Sequence, residues 1–180
     1  MHEHIRVHRT TSSPKKRERT MTDTNASLAP LQQQLDDALR RFSPLTTQDL
    51  AMLHRVVTFR TFARGECFVE AGAPATESAL VLEGVFRERR EMPGEVPITV
   101  CFSAEGDLVG PVADLIAKRP RASSHIAALT TATVAVVKWA DFRALCAQAL
   151  AWERLYTTVI ARLFLAKVEP QRQLLSMSAA

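Results

Sequence analysis

The chain has 180 residues, 47% of them hydrophobic and 23% charged, which suits a globular domain with a real core and excludes a wholly disordered protein. Its formal net charge is +4, but Arg6, Arg9, Lys15, Lys16, Arg17 and Arg19 face only Glu3 and Glu18 within residues 1–20, so the remainder is neutral. Such a charge describes a basic tail and excludes a strongly basic DNA-reading surface on the folded part.

No apolar run approaches the ~20 residues of a membrane span, and the N-terminus lacks the apolar segment of a secretory signal. The expected location is the cytoplasm, with no membrane partner. Cys67, Cys101 and Cys146 are odd in number and far apart. They read as reduced, buried thiols rather than a disulfide framework or a CxxC metal site.

Residues 1–28 are polar, basic and rich in Thr and Ser, without an apolar period, and are expected to be a disordered tail. His2, His4 and His8 within it would bind a metal weakly at best, and Met21 reads as an ordinary protein start. A domain is expected over residues 29–148, and a terminal helix with the start of a linker over residues 149–180. Leu31, Leu35, Ala38, Leu39 and Phe42 recur at helical spacing, and Ser43-Pro44 breaks that helix. Thr46 or Thr47 caps a second helix, Gln48 to Val56, with Leu50, Leu53 and Val57 inward.

From Val57 the period shortens to that of strands. Phe59, Thr61, Cys67 and Phe68 flank the turn Ala63-Arg64-Gly65-Glu66. Two strands meet at Gly84, a hairpin turn is expected at Met92-Pro93-Gly94-Glu95, and Ile98, Val100 and Phe102 alternate with Thr99 and Cys101. Two more strands, Ser124 to Leu129 and Ala132 to Lys138, complete a pattern of short strands that implies an antiparallel barrel or roll. Between these strand groups lies Gly106-Asp107-Leu108-Val109-Gly110, then a short apolar helix from Val112 to Ile116, then a basic loop ending in Arg121. Glycines just before a helix let a backbone approach a ligand, and the first-turn N–H groups can hold an anion. Arg121 is either a phosphate partner or a solvated loop cation beside Lys118 and Arg119.

A short helix then runs from Trp139 or Asp141 to Gln148, and a longer one from Trp152 to Glu169, which Pro170 should end or kink. Trp152, Tyr156, Val159, Leu163 and Ala166 form a coiled-coil-like seam, with Ile160, Phe164 and Val168 as a second apolar line beside it. A helix apolar on two sides is buried on two sides, so one line covers the roll and the other meets a partner. The seam is the expected dimer interface.

In order and spacing, Ala63-Arg64-Gly65-Glu66, Glu70-Ala71-Gly72, Leu82-Glu83-Gly84-Val85, Phe102 followed by Gly106-Asp107 and Gly110, and the long last helix resemble the cyclic-nucleotide-binding-domain superfamily. More closely, they resemble the sensor half of the Crp/Fnr transcription regulators, from about Phe42 to Met177. The resemblance implies an α+β, mainly β fold: a jelly-roll-like double-stranded antiparallel β-roll with N-terminal helices and a long C-terminal dimerisation helix. It implies a non-enzymatic sensor with a small-molecule effector and no certain cofactor. It also implies a homodimer that reaches DNA only through a C-terminal helix-turn-helix, for which residues 172–180 resemble the bridge. The ligand-binding candidates it implies are Gly106, Asp107, Gly110, Pro111, Val112, Arg121, Ala122 and Ser123.

Two departures bear on the effector. Members that bind cyclic AMP place a Glu after the second Gly for the ribose hydroxyl, and here Pro111 stands there. Arg121 matches the phosphate-binding Arg but is followed by Ala122-Ser123 rather than Ser-Ala. Cyclic AMP is therefore expected to bind weakly or not at all. An iron–sulfur sensor would need a cysteine cluster that this sequence does not hold, and His54 or His125 alone assigns no haem. A cupin-like metalloenzyme, also a small β-roll, would need clustered His and carboxylate ligands, and only His54 and His125 lie outside the tail. A free-standing dimeric regulatory protein of the same fold is the other alternative.

Overall fold

The computed structural model describes residues 24–91 and 96–178, with side-chain surroundings from Leu28 to Leu165 except Phe164. The basic residues 1–20 and the hairpin turn expected at residues 92–95 lie outside the described residues. Helices α1 (Thr24–Arg40) and α2 (Thr47–His54) precede strands β1 (Thr58–Phe62), β2 (Cys67–Val69), β3 (Glu77–Glu83), β4 (Phe86–Arg90), β5 (Ile98–Ser103) and β6 (Leu108–Val109). Then come α3 (Val112–Ile116), β7 (His125–Ala128), β8 (Ala132–Lys138), α4 (Trp139–Gln148) and α5 (Leu150–Ser178).

The strands form two four-stranded sheets with only antiparallel pairs, in the orders β1-β8-β3-β6 and β2-β7-β4-β5. This is the expected jelly-roll-like arrangement. The first sheet is a middle layer, because successive side chains of a strand face opposite ways. On β3, Ala79 and Val81 enter the roll, where they meet Phe62, Phe68 and Phe86, while Leu80 and Leu82 join the helices. On β8, Val134 and Val136 likewise face the roll, and Ala135 and Val137 the helices. Inside the roll the three Phe rings lie 5.5–6.3 Å apart, two of the three contacts edge-to-face. Truncating a fully buried one to Ala costs about 3–5 kcal/mol.

Local signals explain the helix boundaries. Thr46 caps α2: its hydroxyl accepts from the Asp49 N–H, and the Asp49 carboxylate accepts from the Thr46 N–H at 2.9 Å. Leu50 and Leu53 turn inward, beside Leu35, Ala38 and Leu39 of α1. The β3–β4 turn requires glycine at position 84. Its φ is +89°, and a Cβ there would meet Thr131 O at 2.5 Å and Ala132 Cα at 2.7 Å.

Several expectations need correction. The first turn of α1 begins at Thr24, inside the stretch whose composition reads as tail, because nothing between Thr24 and the apolar stripe stops a helix except Pro30, which removes one backbone hydrogen bond. Pro170 does not end α5, which continues to Ser178. The lost bond is offset by good helix formers on both sides, such as Glu169, Gln171 and Arg172. Strand β5 does not bury one face: Ile98, Val100 and Phe102 are all exposed, Phe102 by 61%. It is a sheet edge hydrogen-bonded to β4, with no layer over either side among the described residues. The thiols also differ from expectation, with Cys146 buried, Cys67 half-buried and Cys101 exposed.

Candidate functional site

The corner between β6 and β7 is built around one buried carboxylate. Pro111 precedes α3, and its carbonyl accepts from the N–H groups of Asp114 and Leu115, both at 3.0 Å. This short helix drops Asp114 into the protein, where the residue is only 2% exposed. The carboxylate accepts from the Ser123 N–H at 2.9 Å, the Ser123 hydroxyl at 3.0 Å and Arg119 Nη1 at 3.3 Å. The Arg119 N–H also donates to the Asp114 carbonyl at 2.8 Å. Burial alone would raise the Asp114 pKa, but the bonds from Ser123 and Arg119 outweigh it and hold the group below its ordinary value. The loop from α3 to β7 is thereby tied to its own helix.

This closure engages several of the groups that an anion would need. The Val112 N–H donates to the Gly110 carbonyl, and the Ala122 N–H to the Ala73 carbonyl at 2.9 Å. Ser123 is committed to Asp114. Arg121 Nη1 donates to the Gly72 carbonyl at 2.6 Å, and its backbone pairs with Pro74 as an isolated bridge. Arg121 is thus neither reading of the sequence in pure form: it is an exposed loop cation that clasps the β2–β3 loop.

Beside this clasp lies a pocket of about 300 Å³ lined by residues of β2, the β2–β3 loop, the start of β3 and Pro111. Its charged lining is Glu70 and Glu77, the latter paired with Arg60. Of the sequence-derived candidates, only Pro111 lines it. Gly110, at φ +128°, packs tightly against Ser78 and Phe68, where a Cβ would come within 3.1–3.3 Å. Gly106 and Asp107 serve elsewhere. The Gly106 N–H donates to Val81 O, and Asp107 closes its own turn by accepting from the Ala104 N–H. Asp114, Glu70 and Glu77 were not legible as site residues, since no spacing distinguishes a carboxylate that turns inward from one in water.

On the helix side of the first sheet, α5 places Trp152 in this chain's own core at 1% exposure. Tyr156 meets Trp139 and Phe142 edge-to-face, and Val159 packs on the same cluster. Trp152 is therefore corrected from interface residue to core residue. Heptad-like spacing marks a buried stripe without saying which surface buries it. Leu163 is half-buried and Leu165 is 63% exposed, while the Ala166 side chain lies outside the described residues.

Among the described residues, no three His, Cys, Asp or Glu side chains gather as a metal ion would require, and no helix is long and apolar enough to cross a membrane. Cys67 Sγ lies 3.7 Å from His125 Nδ1 and donates to the Ile126 carbonyl, and burial pushes its thiol pKa up. That is the opposite of an activated thiolate.

Solved structures similar to this chain include a cyclic nucleotide-binding domain from Methylobacillus flagellatus, with a TM-score of 0.69 and 15% identity over 83% of this chain and 84% of that one. The Catabolite Activator Protein of Thermus thermophilus gives 0.62 and 20% identity over 77% of this chain, which spans 63% of that protein's length. The sensor domain of the transcriptional regulator DNR from Pseudomonas aeruginosa gives 0.65 and 13% over 81% of this chain and 95% of that one. At these identities the likeness is one of fold. No curated protein sequence matches. A family model described as the cyclic nucleotide-binding domain matches residues 59–149, half of the chain, from the second residue of β1 to just past α4. The chain belongs to the cyclic nucleotide-binding domain family.

Proposed function

We propose that this chain is a non-enzymatic ligand-sensing and dimerisation module of a Crp/Fnr-type transcription regulator, whose effector is not held in the manner of cyclic AMP. The family and the likeness to regulator structures support the sensor role. In α5, a helix of 29 residues, or about 43 Å, the exposed Leu165 leaves an apolar side chain for a second copy. The observation that carries the effector reading is the closed corner. Pro111 offers neither a carboxylate nor an N–H, Ser123 and Ala122 donate inward, Arg121 Nη1 donates to the Gly72 carbonyl, and Glu70 would repel a phosphate in the pocket.

Titration calorimetry with cyclic AMP and cyclic GMP tests this. The unmodified chain should give no saturable heat below millimolar ligand, and Pro111→Glu alone should not create tight binding, because Arg121 and Ser123 stay engaged. Micromolar binding by the unmodified chain would overturn the effector reading and return Arg121 to the role of phosphate ligand.

A further inference from the structure

Strand β5 pairs only with β4, so a row of backbone N–H and C=O groups is left open along its free side. Charged side chains commonly keep such an edge from pairing, yet no residue from Val96 to Ser103 carries a charge. Phe102 is exposed, as are Val96 and Ile98 at the start of the strand. The sheet's outer face adds charge to this edge. Phe86, Ile126 and Ala128 face the roll, so by alternation Arg87 and Arg89 lie on the opposite side. Arg87 has Phe102 as its cross-strand partner, and Arg89 has Thr99 on β5 and His125 on β7. Both arginines are half-buried. Neither side chain makes an ion pair or a hydrogen bond among the described residues. Glu88 pairs with Arg90, and Glu91, exposed just past β4, lies within ion-pair distance of neither.

We propose that this edge and face dock an extended acidic segment of a partner protein, which adds as a strand along β5 and sets its carboxylates against Arg87 and Arg89. The open backbone groups give such a segment its register, and side chains on alternate residues give it specificity. An added strand lies two strand spacings, or about 10 Å, from β4, a gap that an arginine and a glutamate leaning toward each other span. Exposed aromatic residues and arginines are the types that protein interfaces enrich. Val100 is unpaired at a register shift, so the added pairing is short and the arginine contacts select the partner. Other occupants fit less well. A second copy's β5 would bring the same uncharged edge and leave the arginines of both copies without a counter-charge. A nucleic acid strand would satisfy the arginines and stack on Phe102, but it has no alternating N–H and C=O groups for the open side of β5.

The probes are two fluorescein-labelled decapeptides, one alternating glutamate with valine and the other lysine with valine, titrated against the full chain by fluorescence polarisation. The unmodified chain should bind the glutamate peptide saturably and prefer it to the lysine peptide. Residues 1–20 attract the glutamate peptide too, so the double variant Arg87→Glu/Arg89→Glu, which leaves that tail intact, isolates the face. It should weaken the glutamate peptide about tenfold or more, and Phe102→Ser should weaken it as well. Amide exchange gives the second readout: the glutamate peptide should slow those β5 amides that do not bond to β4, a protection that binding at residues 1–20 does not produce. Equal affinity for the two peptides, unchanged affinity in the double variant, or β5 amides left unprotected would each overturn the proposal. A single-stranded oligothymidylate that binds through Arg87 and Arg89 more tightly than the glutamate peptide would also overturn it and give the face to nucleic acid. The peptide comparison and the exchange measurement on the unmodified chain need no variant. The docking site stands apart from the effector reading, which the calorimetry tests separately.

Discussion

Asp114 is the side chain on which the α3 corner depends, and its protonation should be visible in stability. Its folded pKa lies below the ordinary value of about 3.9. A depressed carboxylate contributes its stabilisation in full above the unfolded value and loses it as pH falls through the folded one. Asp114→Asn should therefore destabilise the protein at pH 7 by about 1–3 kcal/mol, through weakened bonds to Ser123. The gap to the unmodified protein should close as pH drops below about 4. Thermal melts of both proteins from pH 7 to pH 2.5 check this, and parallel curves throughout would show that the carboxylate is not the stabilising form. The ion pair to Arg119 adds little, since that side chain is 62% exposed and its charge is screened. At this scale the sequence was only partly legible. Pro111 and Arg121 stood out by type and position, but Arg121's choice of a backbone carbonyl is made by a loop distant in sequence, and no local pattern encodes it.

At the scale of elements, periodicity placed most helices and strands, including α3 at its observed bounds. It failed where two surfaces compete for the same stripe. The line Trp152, Tyr156, Val159 has the spacing of a coiled-coil seam, yet Trp152 is buried in this chain's own core, with Tyr156 and Val159 half-buried beside it. The alternation in β5 has the look of a half-buried strand, yet no layer covers it. The dimer test must accordingly move along α5. Leu165→Glu should yield monomers in sedimentation while lowering the melting temperature little, because Leu165 makes few contacts to lose within its own chain at 63% exposure. Val159→Glu should instead destabilise the fold itself, since it forces a charge against the helix-side core. A Leu165→Glu protein that remains dimeric would move the interface away from this helix.

For the whole molecule, the distribution of charge separates attraction from recognition. The net +4 resides in residues 1–20, so any affinity for duplex DNA should be nonspecific, steeply weakened by salt and abolished by starting the chain at Met21. Gel shifts with one duplex and its scrambled counterpart, at low and physiological salt, measure this. Salt-resistant preference for one sequence would show that the folded part reads bases. The middle sheet carries a different consequence, one of tolerance to insertion and deletion. Because β3 and β8 serve the roll with one face and the helices with the other, a single-residue slip in either exchanges the two sets of side chains. Val134 and Val136 would then press on the helices while Ala135 left a gap among the three Phe rings, so both cores would fail together. Length changes in this family member should therefore be confined to its loops and to the exposed β5 edge, and the paired centre of β3 and β8 should keep its residue count through any divergence of sequence.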